Sequence, residues 1–158
     1  MSFLTRDSCA SLLPVSQPSL KVRLLRPGAR LPTRATPGAS GLDLYACLDA
    51  GVDLSPDVSL VPTGIAVEVP QGYEVQVRPR SGLARRGVSV VFGTVDSDYR
   101  GEVFVNMHTI GRLQSYRIQD GDRIAQLVVA RVEMLPAVEA EELSDSLRGD
   151  GGYGSTGR

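Results

Sequence analysis

Residues 93–101 read Gly-Thr-Val-Asp-Ser-Asp-Tyr-Arg-Gly, which packs two carboxylates, an aromatic ring and an arginine between two apolar runs. A carboxylate such as Asp96, facing a water beside a bound phosphate, is a suitable general base. Asx residues are also ordinary turn formers, so as a lone hairpin loop the segment carries no function. Upstream, Arg78-Pro79-Arg80-Ser81-Gly82-Leu83-Ala84 places two arginines and a serine at the end of an apolar run, before a short helix-compatible stretch. Backbone N–H groups there can face an anion. The plain alternative is a strand edge with surface arginines.

Three further segments carry polar chemistry. Five of the last ten residues are glycine, beside Arg148, Tyr153, Ser155 and Thr156. Such a stretch is ordinarily a flexible end, because ordering it costs on the order of 10 kcal/mol of backbone entropy. Glycines nevertheless let N–H groups approach an anion, while an arginine and two hydroxyls donate to phosphate oxygens and Tyr153 offers a face for stacking on a base. Asp43 lies in the apolar run Gly41-Leu42-Asp43-Leu44, where an unpaired charge is costly without a cation nearby. Gln126, flanked by apolar residues in 121–127, requires a polar partner. Local hydrogen bonding is the alternative for both. The single His108 and the two cysteines offer no Ser-His-Asp or Cys-His system, so direct attack by water is favoured over a covalent intermediate.

The elements that must position these groups are short β-prone runs: 21–25, 42–46, 59–61, 65–69, 73–77, 88–92, 102–108, 114–118 and 123–132. Gly72, Gly87, Gly93, Gly111 and Gly121 punctuate them. Many short strands predict an all-β sandwich or barrel-like fold. Only 81–86 and the acidic 138–147 suit helices, and both need tertiary support. Residues 1–19, rich in Ser and Pro, read as a flexible N-terminal arm, 20–136 as the β core, and 137–158 as a C-terminal arm ending in the glycine-rich motif.

At 158 residues with 42% hydrophobic content, the chain suits one domain with its own core. A net charge of -1 argues against non-specific nucleic-acid binding, which needs a strongly basic face. Cys9 and Cys47 have neither zinc-ligand nor disulfide-framework spacing. With no convincing signal peptide and no apolar run long enough to span a bilayer, a soluble cytoplasmic protein is expected, with no membrane partner.

In this order and at these distances, SGLDLYA from Ser40, PRSGLA from Pro79, GTVDSDYRGE from Gly93, GDRIAQL from Gly121 and RGDGGYGSTG from Arg148 resemble the five motifs of the trimeric dUTPase family. The resemblance covers residues 20–158. It implies a jelly-roll-like β protomer in a homotrimer, with the C-terminal arm reaching a neighbouring subunit. The implied activity is dUTP diphosphatase: water attacks the α-phosphorus, giving dUMP and pyrophosphate, which keeps uracil out of DNA and supplies dUMP for dTMP synthesis.

Carried over by resemblance, Asp96 activates the water and Tyr99 packs under the deoxyribose, excluding a 2′-hydroxyl. The backbone of Phe92, Gly93, Thr94 and Val95 meets the uracil edge. Arg80, Ser81, Gly82 and Gln126 contact the phosphates, with Ser81 at the bond that breaks. Arg148, Gly154, Ser155 and Thr156 hold the γ-phosphate end, and Tyr153 stacks over uracil. Asp43 associates through water with a Mg2+ held by the phosphates. The hairpin before Asp96 is shorter than in many bacterial members, so uracil recognition rests on backbone groups. Tyr153 stands where Phe is commoner. Two alternatives are a dCTP deaminase-like or bifunctional enzyme, which would require a glutamate where Asn106 aligns, and a non-catalytic nucleotide-binding regulatory module.

Overall fold

Residues 18–151 are described by a computed structural model. In chain order the strands are β1 (Lys21–Leu24), β2 (Leu42–Tyr45), β3 (Val52–Leu54), β4 (Ser59–Glu68), β5 (Tyr73–Arg78), β6 (Val88–Val90), β7 (Gly93–Val95), β8 (Glu102–Thr109), β9 (Tyr116–Ile118) and β10 (Arg123–Arg131). A five-residue helix, α1 (Ser81–Arg85), joins β5 to β6. One four-stranded antiparallel sheet runs β1-β4-β8-β6, another β2-β10-β5-β7, and β3 pairs with β9. The expected all-β fold is therefore present.

Alternation along the strands places the core. On β8, Val103, Val105 and Met107 point inward while Phe104 and Asn106 face out, as a two-residue period dictates. Those side chains join Val61 and Ile65 of β4, Val75 of β5 and Ile124 and Leu127 of β10 in one apolar cluster. Burying each stabilises the fold by roughly 1.5–3 kcal/mol.

The sequence separates 59–61 from 65–69, but the structure runs them together as β4. Pairing with β8 shifts between Pro62 and Ala66, a local irregularity built around Gly64 at φ 69°. The Gly64 N–H donates to Glu102 Oε1 at 2.8 Å and its carbonyl accepts from Leu25 N at 2.8 Å. The buried Thr63 hydroxyl donates to the Val103 carbonyl. A Cβ on Gly64 would come within 2.8 Å of Ala29 Cβ and 3.0 Å of Cys47 Sγ. Gly64→Ala should therefore cost about 1–3 kcal/mol. A lowered urea midpoint tests this, and an unchanged one refutes the steric role.

Two expectations need correction. Residues 138–147 form no helix: Val138, Leu143 and Leu147 are exposed, and four acidic side chains repel one another without an apolar surface to pack on. Val52–Leu54 and Gly93–Val95, which lie outside the β-prone runs read from sequence, are strands. Among the described residues, no helix is long and apolar enough to cross a membrane.

Candidate active site

Strand register brings three of the motifs together. On β10, Gln126 lies opposite Asp43 of β2 on one side and Arg78 of β5 on the other. Asp43 is 9% exposed, and its charge is matched twice: Oδ1 is 2.9 Å from Arg80 Nε and Oδ2 is 3.3 Å from Arg123 Nη1. Arg80 Nη1 also donates to the Arg123 carbonyl at 2.8 Å. Gln126 Nε2 donates to the Pro79 carbonyl at 2.9 Å, which braces the turn leading to Ser81. A Cβ on Gly41 would fall 2.9 Å from Gln126 Cδ, so the amide occupies space that only glycine leaves open there.

The electrostatics of this cluster suit an anion. One carboxylate faces two guanidiniums, leaving a net positive site beside Ser81 and Gly82, both exposed at the start of α1. Arg80 ends the strand in an extended conformation without a side-chain cap on the helix. No three His, Cys, Asp or Glu side chains converge on a metal-sized site among the described residues. With both Asp43 oxygens engaged, these residues do not cage a bare divalent cation. They fit one that arrives already bound to phosphates.

The remaining hairpin stands at the other edge of the same sheet. Gly93, Thr94 and Val95 of β7 pair with Val77, Gln76 and Val75 of β5. Since β7 ends the sheet, its backbone groups on the side away from β5 have no strand partner among the described residues. Phe92 precedes it, 56% exposed. A cleft of about 260 Å³ opens between this edge and β8, lined by Gly93, Thr94, Asp96, Tyr99, Phe104 and Asn106 among others.

Asp96 and Tyr99 share one turn. The Tyr99 N–H donates to the Asp96 carbonyl at 3.1 Å, and Arg100 Nη1 donates to the carbonyls of Ser97 and Tyr99 at 2.7 and 2.8 Å. Arg100 Nε lies 3.6 Å from Glu68. A hydrogen bond from Lys21, 2.6 Å away, together with its charge, holds the exposed Glu68 carboxyl below its ordinary range. The Asp96 side chain is exposed and makes no ion pair among the described residues.

The two groups of residues do not meet within one chain. Val95 pairs with Val75, and Ser81 lies six residues further along β5 and its extended continuation. At the rise of a strand this separates Asp96 from Ser81 by roughly 20 Å. Among the described residues Arg148 makes a local contact, donating to the Gly151 carbonyl at 2.7 Å. Tyr153, Gly154, Ser155 and Thr156 lie outside the described residues. Arg123 and Gly41 escaped sequence reasoning, although the need of Asp43 for a cationic partner signalled that a second basic residue had to be near.

Comparison with known proteins identifies the family. The family model described as dUTPase matches residues 28–157. A deoxyuridine 5′-triphosphate nucleotidohydrolase of Hydrogenobaculum sp. is 51% identical over 142 residues, covering 87% of this chain and 97% of its own. The enzyme of the same name from Neorickettsia sennetsu is 47% identical over 147 residues, covering 89% and 98%. Among solved structures, the Staphylococcus bacteriophage 80alpha dUTPase with dUPNHPP superposes with a TM-score of 0.80 at 30% identity, covering 89% of this chain and 99% of that one. A mutant dUTPase from phage phi11 of S. aureus, described with a structural Mg(II) ion, gives 0.70 at 25% identity, covering 78% and 97%.

Proposed function

Because this chain belongs to the dUTPase family, we propose that it hydrolyses dUTP to dUMP and pyrophosphate through a site whose nucleoside and phosphate halves come from different subunits. The observation that carries the reading is the fastening of Asp96 and Tyr99 to one turn beside a strand edge that has no strand partner among the described residues. An edge strand leaves backbone N–H and C=O groups free to meet a pyrimidine's polar edge. The Tyr99 ring forms the wall against the sugar, and Asp96 stands where it can orient a water toward the α-phosphorus and accept its proton.

Arg80, Ser81 and Gly82 serve the phosphates. The Arg80 guanidinium, held by Asp43, offers charge-assisted donors without having to reorganise, and donors fixed where negative charge develops lower the barrier most. Gln126 keeps the Pro79 carbonyl in place and has a second amide N–H for an oxygen. The C-terminal motif, with Arg148, Tyr153, Gly154, Ser155 and Thr156, closes over the bound nucleotide in this reading.

The roughly 20 Å between Asp96 and Ser81 in one chain requires a neighbour's phosphate residues at each reacting centre, and a closed ring of three copies supplies three such sites. Exposed Leu60 and Phe104 on neighbouring strands β4 and β8 offer apolar surface for such an assembly. Asp43, through water, would face a Mg2+ carried by the triphosphate, and that ion would supply neutralisation of phosphate charge and hold the chain for in-line attack. A reducing, cytoplasmic setting accords with the free, buried Cys47.

Asn106 lines the nucleoside cleft, and an amide cannot relay the proton that deamination requires. Incubating the protein with magnesium and each deoxynucleoside triphosphate in turn should release pyrophosphate from dUTP far faster than from dCTP or dTTP, with no deaminated product. Deamination of dCTP, or no pyrophosphate from dUTP, would overturn the assignment.

A further inference from the structure

We infer that Gly101 and the Glu102 carbonyl form a seat that sets the position of the Tyr99 ring, making Gly101 a specificity-determining residue for deoxyribose over ribose. The inference rests on the proposal that Tyr99 is the wall against the sugar. The Tyr99 hydroxyl donates to the Glu102 carbonyl at 3.0 Å, so the ring folds back over Gly101, the second of the two residues between them. A Cβ at position 101 would lie 2.5 Å from Tyr99 Cζ and 3.0 Å from Cε2, with the hydroxyl oxygen closer still. Recovering ordinary carbon–carbon contact would push the ring out by about 1 Å.

The other side of the seat does not yield. Glu102 is pinned by the Gly64 N–H at 2.8 Å and by the Arg26 guanidinium, and the Tyr99 backbone is pinned by the Asp96 carbonyl. An added methyl is therefore relieved by moving the ring. The backbone of Gly101 lies outside the left-handed region, so alanine there meets no left-handed strain and acts chiefly through this contact. A displaced ring changes the surface that meets the sugar while leaving Asp96 on its turn. Gly101 is a positioning residue, and it acts through Tyr99.

The test measures kcat and KM for dUTP and UTP in Gly101→Ala, Tyr99→Phe and Tyr99→Ala, with melting curves to confirm folding. Gly101→Ala is expected to lower the dUTP-to-UTP ratio of kcat/KM by about tenfold or more, mostly through KM. A ratio within about twofold of the parent in the folded variant overturns the seat. Tyr99→Phe keeps the space but loses the anchor to Glu102, and should lower the ratio about threefold. If Gly101→Ala does not fold, this variant decides, and an unchanged ratio refutes the inference. Tyr99→Ala separates the two levels. Loss of discrimination there with retention in Gly101→Ala sinks only the seat, whereas retention in Tyr99→Ala sinks the sugar-wall reading as well.

Discussion

Asp96→Asn is expected to bind dUTP with near-normal affinity while turnover falls about 10³-fold, since an amide cannot accept the proton of an attacking water. The structure makes the substitution clean. The Asp96 side chain makes no ion pair among the described residues, and the turn is held by its backbone carbonyl, which asparagine keeps. Calorimetric titration with a non-hydrolysable dUTP analogue, alongside steady-state turnover, separates binding from chemistry. A variant within tenfold of the parent rate would remove Asp96 from the role of general base.

Two disabled chains should also rescue one another. Arg80→Ala takes a phosphate contact from one half of the site, and Asp96→Asn takes the base from the other. Each variant alone should be nearly inactive. If every site draws Asp96 from one subunit and Arg80 from another, random reassembly of equal amounts leaves about one quarter of sites with both residues intact. Recovery to roughly a quarter of parental activity after co-refolding is the expected result. No recovery, with mixed oligomers demonstrated by a tag on one variant, would place the whole site within single chains. The strand register already argues against that arrangement, because no side chain of Asp96 can span roughly 20 Å to the oxygens touched by Ser81.

The residue types and spacings expose much of this site in advance. Period-two alternation in 102–108 and the long apolar run from 123 reveal β8 and β10 directly, because each buries one regular face. Three-residue strands escape such reading. Gly93–Val95 is a glycine followed by only two β-formers, next to an aspartate, and only its pairing with β5 distinguishes it from a turn. The break between 59–61 and 65–69 was legible, but its meaning was not. It marks a positive-φ glycine within one strand, stabilised by residues distant in sequence.

Asp43 illustrates the same boundary within the site. A carboxylate in an apolar strand announces that it needs a cation, yet Arg80 is reached through a turn and Arg123 through the neighbouring strand. Which arginines answer is a matter of register. Conversely, the acidic stretch 138–147 has local helix-compatible spacing, and the apolar partner surface that would make it a helix is absent from the described fold.

Among the described residues the outer edge of β7 has no strand partner, and in the proposed site that edge reads the base. A base read by main-chain amides and carbonyls is encoded by the path of the chain, so random mutation has few side chains through which to retune it. Thr94 is exposed and open to variation, while Gly93 and Val95 answer chiefly to packing against β5. Selectivity there drifts only when the ribbon itself bends.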